Sequence, residues 1–522
     1  GDCTLGTSSL WKTLGAGAGQ WGEVAGVSGK ISVAGLASPS YTYVFRTKSR
    51  NSSDAANQPT SESALSSGAS SVNQSPTISF NTVAQTTNGT RYVDVYYTGT
   101  DLENETVSLV TAQYSRDNSV WQIMTEKTGV GSEGTSGLAF SSGGTSHHFF
   151  WDANTDEPNV EDQTVYIRLR ANDGTSSGAT VASSGFTIDT KDPVISSITA
   201  SQNAGSALVT VAYTLTDFST SVVELQVSSD NGVTWDVATS SVAGDVGAGV
   251  APGTGKTISW NAGVNFANQE NSTMKVRLRA TDGYGSRGGF ASSGAFAVDT
   301  KTPVVSGVTA SQSIGTGTVN ISYSLSDANV STVVVEISED NGSTWGVATT
   351  TLAGAVGGGV TPGGSKTVTW NAATDFPNRE QSTMQVRVRA TDAYANASGN
   401  VSSGSFAVDT LAPSITNVSA SQTLGSQSVI ISFDLADASS VATALNISSD
   451  GGSVWNVATT TVTGAVGSGV SPGSGKIVSW NAGTDFSGQD TSNMKVRVRG
   501  TDVYANTGVF VLSSLFSVDT LA

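Results

Sequence analysis

Cysteine occurs once in 522 residues, as Cys3, so no disulfide can form within the chain. Each folding unit must then be held by its own apolar core, not by the cross-links common in small secreted domains. Histidine occurs twice, as the neighbours His147 and His148. On a strand, adjacent side chains face opposite ways, so these two would not chelate one ion together. Basic residues number 25 against 42 acidic ones, a net charge of −17. That balance argues against nucleic acid as a partner, because binding it releases counterions through a basic surface. No apolar run is long enough to span a membrane. There is no Gly-Lys-Ser/Thr phosphate loop and no His-Glu-x-x-His pair. With no convergent nucleophile and base, no reaction is assigned, and the expectation is a protein that is not an enzyme.

What the chain does contain is glycine, 59 of them, among much Ser, Thr, Ala and Val. This is the composition of short strands and turns. It also contains a repeat. "FTIDTKDP", "FAVDTKTP", "FAVDTLAP" and "FSVDTLA" place Asp189, Asp299, Asp409 and Asp519 at steps of 110 residues. Trp235, Trp345 and Trp455 keep the same step, as do Trp260, Trp370 and Trp480. A more diverged copy upstream keeps Trp121, Trp151 and "VYIRLRAND". A unit of this length is too long for a solenoid repeat and fits a whole sandwich domain.

Within 301–410, "TVNISYSLS" places Val319, Ile321, Tyr323 and Leu325 on one face and polar residues on the other. "TMQVRVRAT" does the same with Met384, Val386, Val388 and Ala390. This period of two marks half-buried strands. About seven such segments per repeat predict an all-β fold, a tandem array of seven-stranded antiparallel β-sandwiches of immunoglobulin-like or fibronectin type III-like kind. The expected units are 1–73, a partial fibronectin type III-like module; 74–190, a diverged repeat; and three close repeats, 191–300, 301–410 and 411–522.

"ISEDNGSTW" (337–345) matches the Asp-box pattern of sialidase-like propellers. A propeller would repeat it once per blade, at ~40–50 residues. Here it returns at 110, and the diverged copy "SRDNSVW" drops the glycine. The box therefore reads as a hairpin turn, with Asn341 and Gly342 tolerating positive φ. Trp345 is expected to enter a following strand, "TWGVATTT", and to pack in the core.

The residues "VEISEDNGSTW", "VRVRATDAYAN" and "FAVDTLAP" resemble the bacterial immunoglobulin-like and fibronectin type III-like repeats of large secreted surface proteins, of adhesin or surface-fibre type. The resemblance covers 74–522. It implies a structural protein of the cell exterior that forms or extends a surface fibre, adhesin stalk or surface layer. The alternative is a spacer or carbohydrate-binding module array of a secreted polysaccharide-degrading enzyme. A glycan or other cell-surface ligand is left unnamed by these residues.

Strand order predicts where carboxylates meet. The second-to-third and sixth-to-seventh loops of a sandwich return to the end at which its first strand starts. Asp299, Asp327 and Asp392 should therefore gather at one junction. Asp189, Asp217 and Asp282 should gather at the one before it, and Asp409, Asp437 and Asp502 at the one after. Asp375 and Glu380 are expected to face the junction from the preceding repeat. Clustered carboxylates suit Ca²⁺, which takes 6–8 oxygens. In the modules that the chain resembles, calcium at such linkers stiffens the rod. The competing reading is that each aspartate caps its own turn.

In 1–73, "LASPSYTYVFRTKSRNSSDAANQ" leaves too little chain for a sandwich's first strands. An open edge of that kind invites another chain to pair with it. Together with the linker "FSVDTLA" at 516–522, this gives the expectation of head-to-tail self-association into a fibre.

Overall fold

A computed structural model describes residues 73–129 and 131–521, and within the first 72 residues four short strands, Asp2–Thr4, Ser32–Ala34, Lys48–Arg50 and Pro59–Glu62. These pair as two antiparallel two-stranded ladders. The partial module expected over 1–73 otherwise lies outside the described residues.

In 301–410 the alternating segments become strands because each has one apolar face to bury. Thr318–Ser326 buries Val319, Ile321, Tyr323 and Leu325, each at most 2% exposed. It lies between Val304–Gln312 and Gly363–Asn371, with Ala353–Gly354 at the far edge, in an antiparallel four-stranded sheet. The second sheet runs Gly357–Val360, Ser331–Ser338, Glu380–Asp392 and Val401–Ser402, and Phe406–Asp409 pairs with the other end of Glu380–Asp392. The inner faces of the two sheets form one core around Trp370, Tyr323 and Met384. The repeats 191–300 and 411–522 keep the same four- and five-stranded order. The diverged repeat has sheets of three and six strands. All four cores are built from residues within one repeat. The chain is thus an all-β series of sandwich-like units.

Two local expectations change. "TWGVATTT" is not a strand; only an isolated bridge, Ile337 to Val347, joins it to the sheet. Its place is taken by the glycine-rich segment, which gives one short edge strand to each sheet, Ala353–Gly354 and Gly357–Val360. Trp345, accordingly, is not in the core. It is half-buried on the outer face, with the Arg387 guanidinium 4.4 Å above its ring. The buried tryptophan is Trp370, 0% exposed, whose Nε1 donates to Asp375 at 3.0 Å. The Asp-box is a self-contained turn. Ser338 Oγ meets Asp340 Oδ1 at 2.7 Å, and Asp340 accepts from Thr344 N at 2.7 Å, with Asn341 and Gly342 at positive φ. The backbone bond from Thr344 and the side-chain bonds around it lower the Asp340 carboxyl to about 2.

The strand Glu380–Asp392 connects the two ends of its repeat. Its 13 residues reach about 40 Å at ~3.3 Å per residue, enough to run from one end of the sandwich to the other. Glu380 pairs with Asp409 at the outgoing linker, and Asp392 ends at the incoming one.

Candidate metal centres at the repeat junctions

Each junction begins with a linker whose backbone is gripped. Gln312 closes a two-bond clamp on Asp409, accepting from its N–H at 2.7 Å and donating to its carbonyl at 2.8 Å. Gln85, Gln202 and Gln422 do the same to Asp189, Asp299 and Asp519. The following threonine is fixed too. Thr410 Oγ1 donates to the Phe376 carbonyl and accepts from Arg379 N. The linker aspartates are thereby held as firmly as strand residues. The clamping glutamines recur at steps of 110 in "ASQ" of the three close repeats, a signal present in the sequence that the strand-pattern reading passed over.

The next repeat supplies two more carboxylates from loops 65 residues apart in sequence. The result is three clusters, Asp189 with Asp217 and Asp282, Asp299 with Asp327 and Asp392, and Asp409 with Asp437 and Asp502. In each, one carboxylate oxygen per residue lies within 4.8 Å of the others. The structure therefore brings together the three trios that strand order predicts. Asp375 does not join them. Its carboxylate is taken by Thr350, Thr351 and Trp370. Glu380 stands beside Asp409, and its charge helps to raise the Asp409 carboxyl.

The turn-capping bonds use one oxygen of an aspartate and leave the other without a partner. Asp282 Oδ1 accepts from Tyr284 N and Ser286 N, each at 2.8 Å, while its Oδ2 has no partner. Asp189 Oδ1 accepts from Lys191 N at 3.0 Å, and its Oδ2, on a residue 1% exposed, has none. Asp327 Oδ2 is unpartnered as well. In the second and third clusters an asparagine closes part of the ring: Asn396 Nδ2 donates to Asp392 Oδ2 and to the Asp299 carbonyl, and Asn506 repeats this with Asp502 and Asp409. These two asparagines, and Asn329 on Asp299 Oδ2 at 2.6 Å, fell outside the trio that the sequence marked.

A buried carboxylate without a counter-charge is costly, and its neighbours make it worse. Burial first, and then the nearby Asp282 and Asp217, push the Asp189 carboxyl up to about 6 despite the Lys191 bond. Burial first, then Asp502, Asp437 and Glu380, does the same to Asp409, also to about 6. Asp282, Asp299 and Asp327 are shifted upward, chiefly by burial. Unpaired oxygens facing one another at raised pKa are an unfavourable arrangement that a bound cation would relieve. The clusters could hold a metal ion. Their side-chain donors are carboxylate oxygens, the chemistry of a hard cation.

A second contact crosses every junction. The tight turn after a repeat's first strand reaches the loop that carries the next repeat's third aspartate. Gly89 N donates to the Tyr284 carbonyl at 2.9 Å, Gly205 N to that of Ala393 at 2.8 Å, and Gly315 N to that of Val503 at 2.8 Å. Glycine is required at the first of these. Gly89 has φ +77°, and a Cβ there would sit 2.4 Å from the Gly285 carbonyl oxygen. The histidines take no part. His147 is buried against Phe140 and bonds to Glu133, while His148 stacks on Tyr96 and pairs with Asp94.

No family model matches the chain, and no curated protein matches it. Among solved structures it is similar to the sialic acid binding region of the Streptococcus sanguinis SK1 adhesin, at 11% identity over 62% of this chain and 77% of that one, with a TM-score of 0.18. It is similar also to a marsupial T cell receptor, at 11% identity over 63% of this chain and 100% of that one, TM-score 0.16. A third is Salmonella alpha-2-macroglobulin reacted with methylamine, at 8% identity over 92% of this chain and 35% of that one, TM-score 0.15. At these scores the reading of the junctions rests on their own chemistry.

Proposed function

We propose that this chain is a non-enzymatic structural protein of the cell exterior, an array of immunoglobulin-like or fibronectin type III-like modules whose junctions are fixed by Ca²⁺. The single observation that carries the proposal is the Asp189 carboxylate. It belongs to the outgoing linker of one repeat, is buried among two aspartates of the next, and has an oxygen with no partner. A cation there would tie two repeats through charges that otherwise repel. Residues from both sides of each joint take part, so binding would stiffen the joint and leave each sandwich core unchanged. Such a device suits a stalk, fibre or surface layer. Head-to-tail self-association belongs to the same proposal.

The test is calorimetric titration of the full chain with Ca²⁺, with small-angle scattering as the readout of stiffness. Saturable binding near three ions per chain, and a longer, stiffer particle with Ca²⁺ than with chelator, are expected. Asp327→Asn with Asp392→Asn should remove about one ion and loosen one joint. No heat and no thermal shift at millimolar Ca²⁺ would sink the proposal.

A further inference from the structure

The outer face of the five-stranded sheet carries a row of basic residues in each close repeat, and its neutralisation differs between them. In 191–300, Arg277 and Arg279 stack over Phe290 at 4.1 and 4.2 Å, and Arg277 also covers Trp235. Across the strand pair, Glu224 faces Arg279, and Arg279 Nε donates to Glu224 Oε2 at 2.7 Å. In 301–410, Arg387 Nε donates in the same way to Glu336 at 2.7 Å. In 411–522 the stack is rebuilt: Arg497 lies over Trp455 and Phe510 at 4.5 and 4.2 Å, and Arg499 over Phe510 at 4.5 Å.

The carboxylate alone is missing there. Ala444 faces Arg499, where Glu224 faces Arg279, and Asn446 faces Arg497. The whole strand Val441–Ser448 has no charged residue. Arg499 Nε, the atom that in 191–300 holds a carboxylate, is buried and has no partner. Lys495 stands on the same face, and among the described residues none of these three cations makes a salt bridge. In a chain with 42 acids to 25 bases, three unpaired cations in a row run against the general charge balance. A cation–π stack by itself is a way to pack a surface arginine. In 301–410 the position opposite the second arginine is apolar too, Val334 facing Arg389, but Glu336 faces Arg387 there; what sets 411–522 apart is that neither arginine faces a carboxylate, while rings still hold both guanidinium groups in place.

We propose that the Lys495–Arg497–Arg499 face binds the carboxylates of an acidic polysaccharide, one of them taking the place that Glu224 fills in 191–300. Alternate strand residues stand about 7 Å apart, so the row offers charges in a line, which suits a linear polymer carrying carboxylates at intervals better than a single small acid. Asn446 accepts from Arg497 Nε at 3.1 Å through its Oδ1 and donates to no described group, which leaves its amide N–H groups for a sugar hydroxyl. Arg279 and Glu224 show the contact a carboxylate can make here, Nε to one carboxylate oxygen at 2.7 Å; a guanidinium also takes phosphate, and the DNA gel below separates the two. The chain's overall negative charge opposes a polyanion at long range, but charges beyond about 8 Å are screened at physiological ionic strength. Binding is therefore local, and added salt weakens it.

The experiment is affinity electrophoresis of the full chain through gels containing polygalacturonate, neutral dextran or single-stranded DNA, with chelator present so that junction cations play no part. Retardation by polygalacturonate alone is expected. Ala444→Glu restores a residue that the fold already accommodates in 191–300, and should weaken binding at least tenfold. Arg497→Gln with Arg499→Gln should do the same, whereas Glu224→Ala, which empties the matching position, should strengthen it. Full binding by the Ala444→Glu variant, equal retardation by dextran, stronger retardation by DNA, or no retardation by polygalacturonate would each overturn the proposal. Because chelator is present, none of these outcomes bears on calcium at the junctions.

Discussion

The entrance to the first described repeat and the three junctions after it share a plan and differ in charge. At the entrance, Asp101 and Asp173 stand where later repeats have their two loop aspartates, and the chain arrives with Asn73, three residues before Pro76. Asn73 Nδ2 donates to Asp173 Oδ2 at 2.8 Å, and Ser176 joins it, so that carboxylate is satisfied by the protein. The later linkers arrive with Asp189, Asp299 and Asp409, each four residues before a proline, and cluster three carboxylates instead of two. An amide satisfies Asp173 in the first site, while Asp101, 1% exposed, keeps an Oδ2 with no partner; at the later joints a third carboxylate stands where the amide is. One functional group separates a joint of two carboxylates from a joint of three. The first of the three open joints also has a cation of its own nearby. Arg91 pairs with Asp192 across the junction and donates to Ser286 Oγ, and the other two have Ala207-Leu208 and Gly317-Thr318 in the corresponding turn.

The largest effect should come from beneath the joints. Trp370→Ala removes a fully buried side chain and should cost ~3–5 kcal/mol in its own repeat, whereas Trp345→Ala, on the outer face, should cost nearer ~1 kcal/mol. Denaturant unfolding of the full chain should show an early transition only for the first. If the two are alike, the assignment of core and face is wrong, and the joints rest on a different scaffold.

Next is the exchange of the deciding group. Asp299→Asn turns an open junction towards the entrance type and should weaken Ca²⁺ binding at that joint at least tenfold, about 1.4 kcal/mol, while the other two keep theirs. Calorimetry of the full chain would resolve this as the loss of one site. Unchanged stoichiometry and affinity would show that the third carboxylate is not what distinguishes the junctions.

Smaller is the pH effect. The Asp189 and Asp409 carboxyls are raised to about 6 in the fold, against ~3.9 for an unfolded aspartate. Between those values the folded state holds more protons, so stability falls as pH rises through that window. The cation-free chain should melt at a higher temperature at pH 5 than at pH 7, and saturating Ca²⁺, which competes with those protons, should shrink or reverse the difference. The Asp-box carboxylates lie outside this window, since Asp230 and Asp340 are lowered to about 2. A cation-free melting temperature that rises from pH 5 to pH 7 would contradict the buried, unpaired state of the clusters.

The smallest expected change is a gain. Asn73→Asp withdraws the amide donor from Asp173 and adds a third carboxylate, so the entrance should acquire a weak additional Ca²⁺ site. Thermal shift with and without Ca²⁺ reads it. No response to Ca²⁺ beyond that of the parent chain would mean that linker register, three residues before proline and not four, also matters.

The sequence by itself determined the strands whose apolar residues alternate, because burial of one face sets their period, and it determined the aspartate trios. Strand order dictates which loops share an end of a sandwich, so Asp299, Asp327 and Asp392 could be brought together without coordinates. Spacing could not decide what touches a side chain that is neither plainly core nor plainly solvent. Trp345 and Trp370 look alike in the repeat, yet only the tertiary structure puts one under Arg387 and the other between the sheets. The glycine-rich segment has no periodicity to read, and it becomes two edge strands because the sheets on either side offer unpaired backbone. Asp375 has the composition of a junction ligand but is spent on Thr350, Thr351 and Trp370 in its own repeat. The tertiary structure alone decided which carboxylate oxygens are used and which stay free, since that depends on which nearby backbone N–H groups and which of Asn329, Asn396 and Asn506 the fold turns towards them.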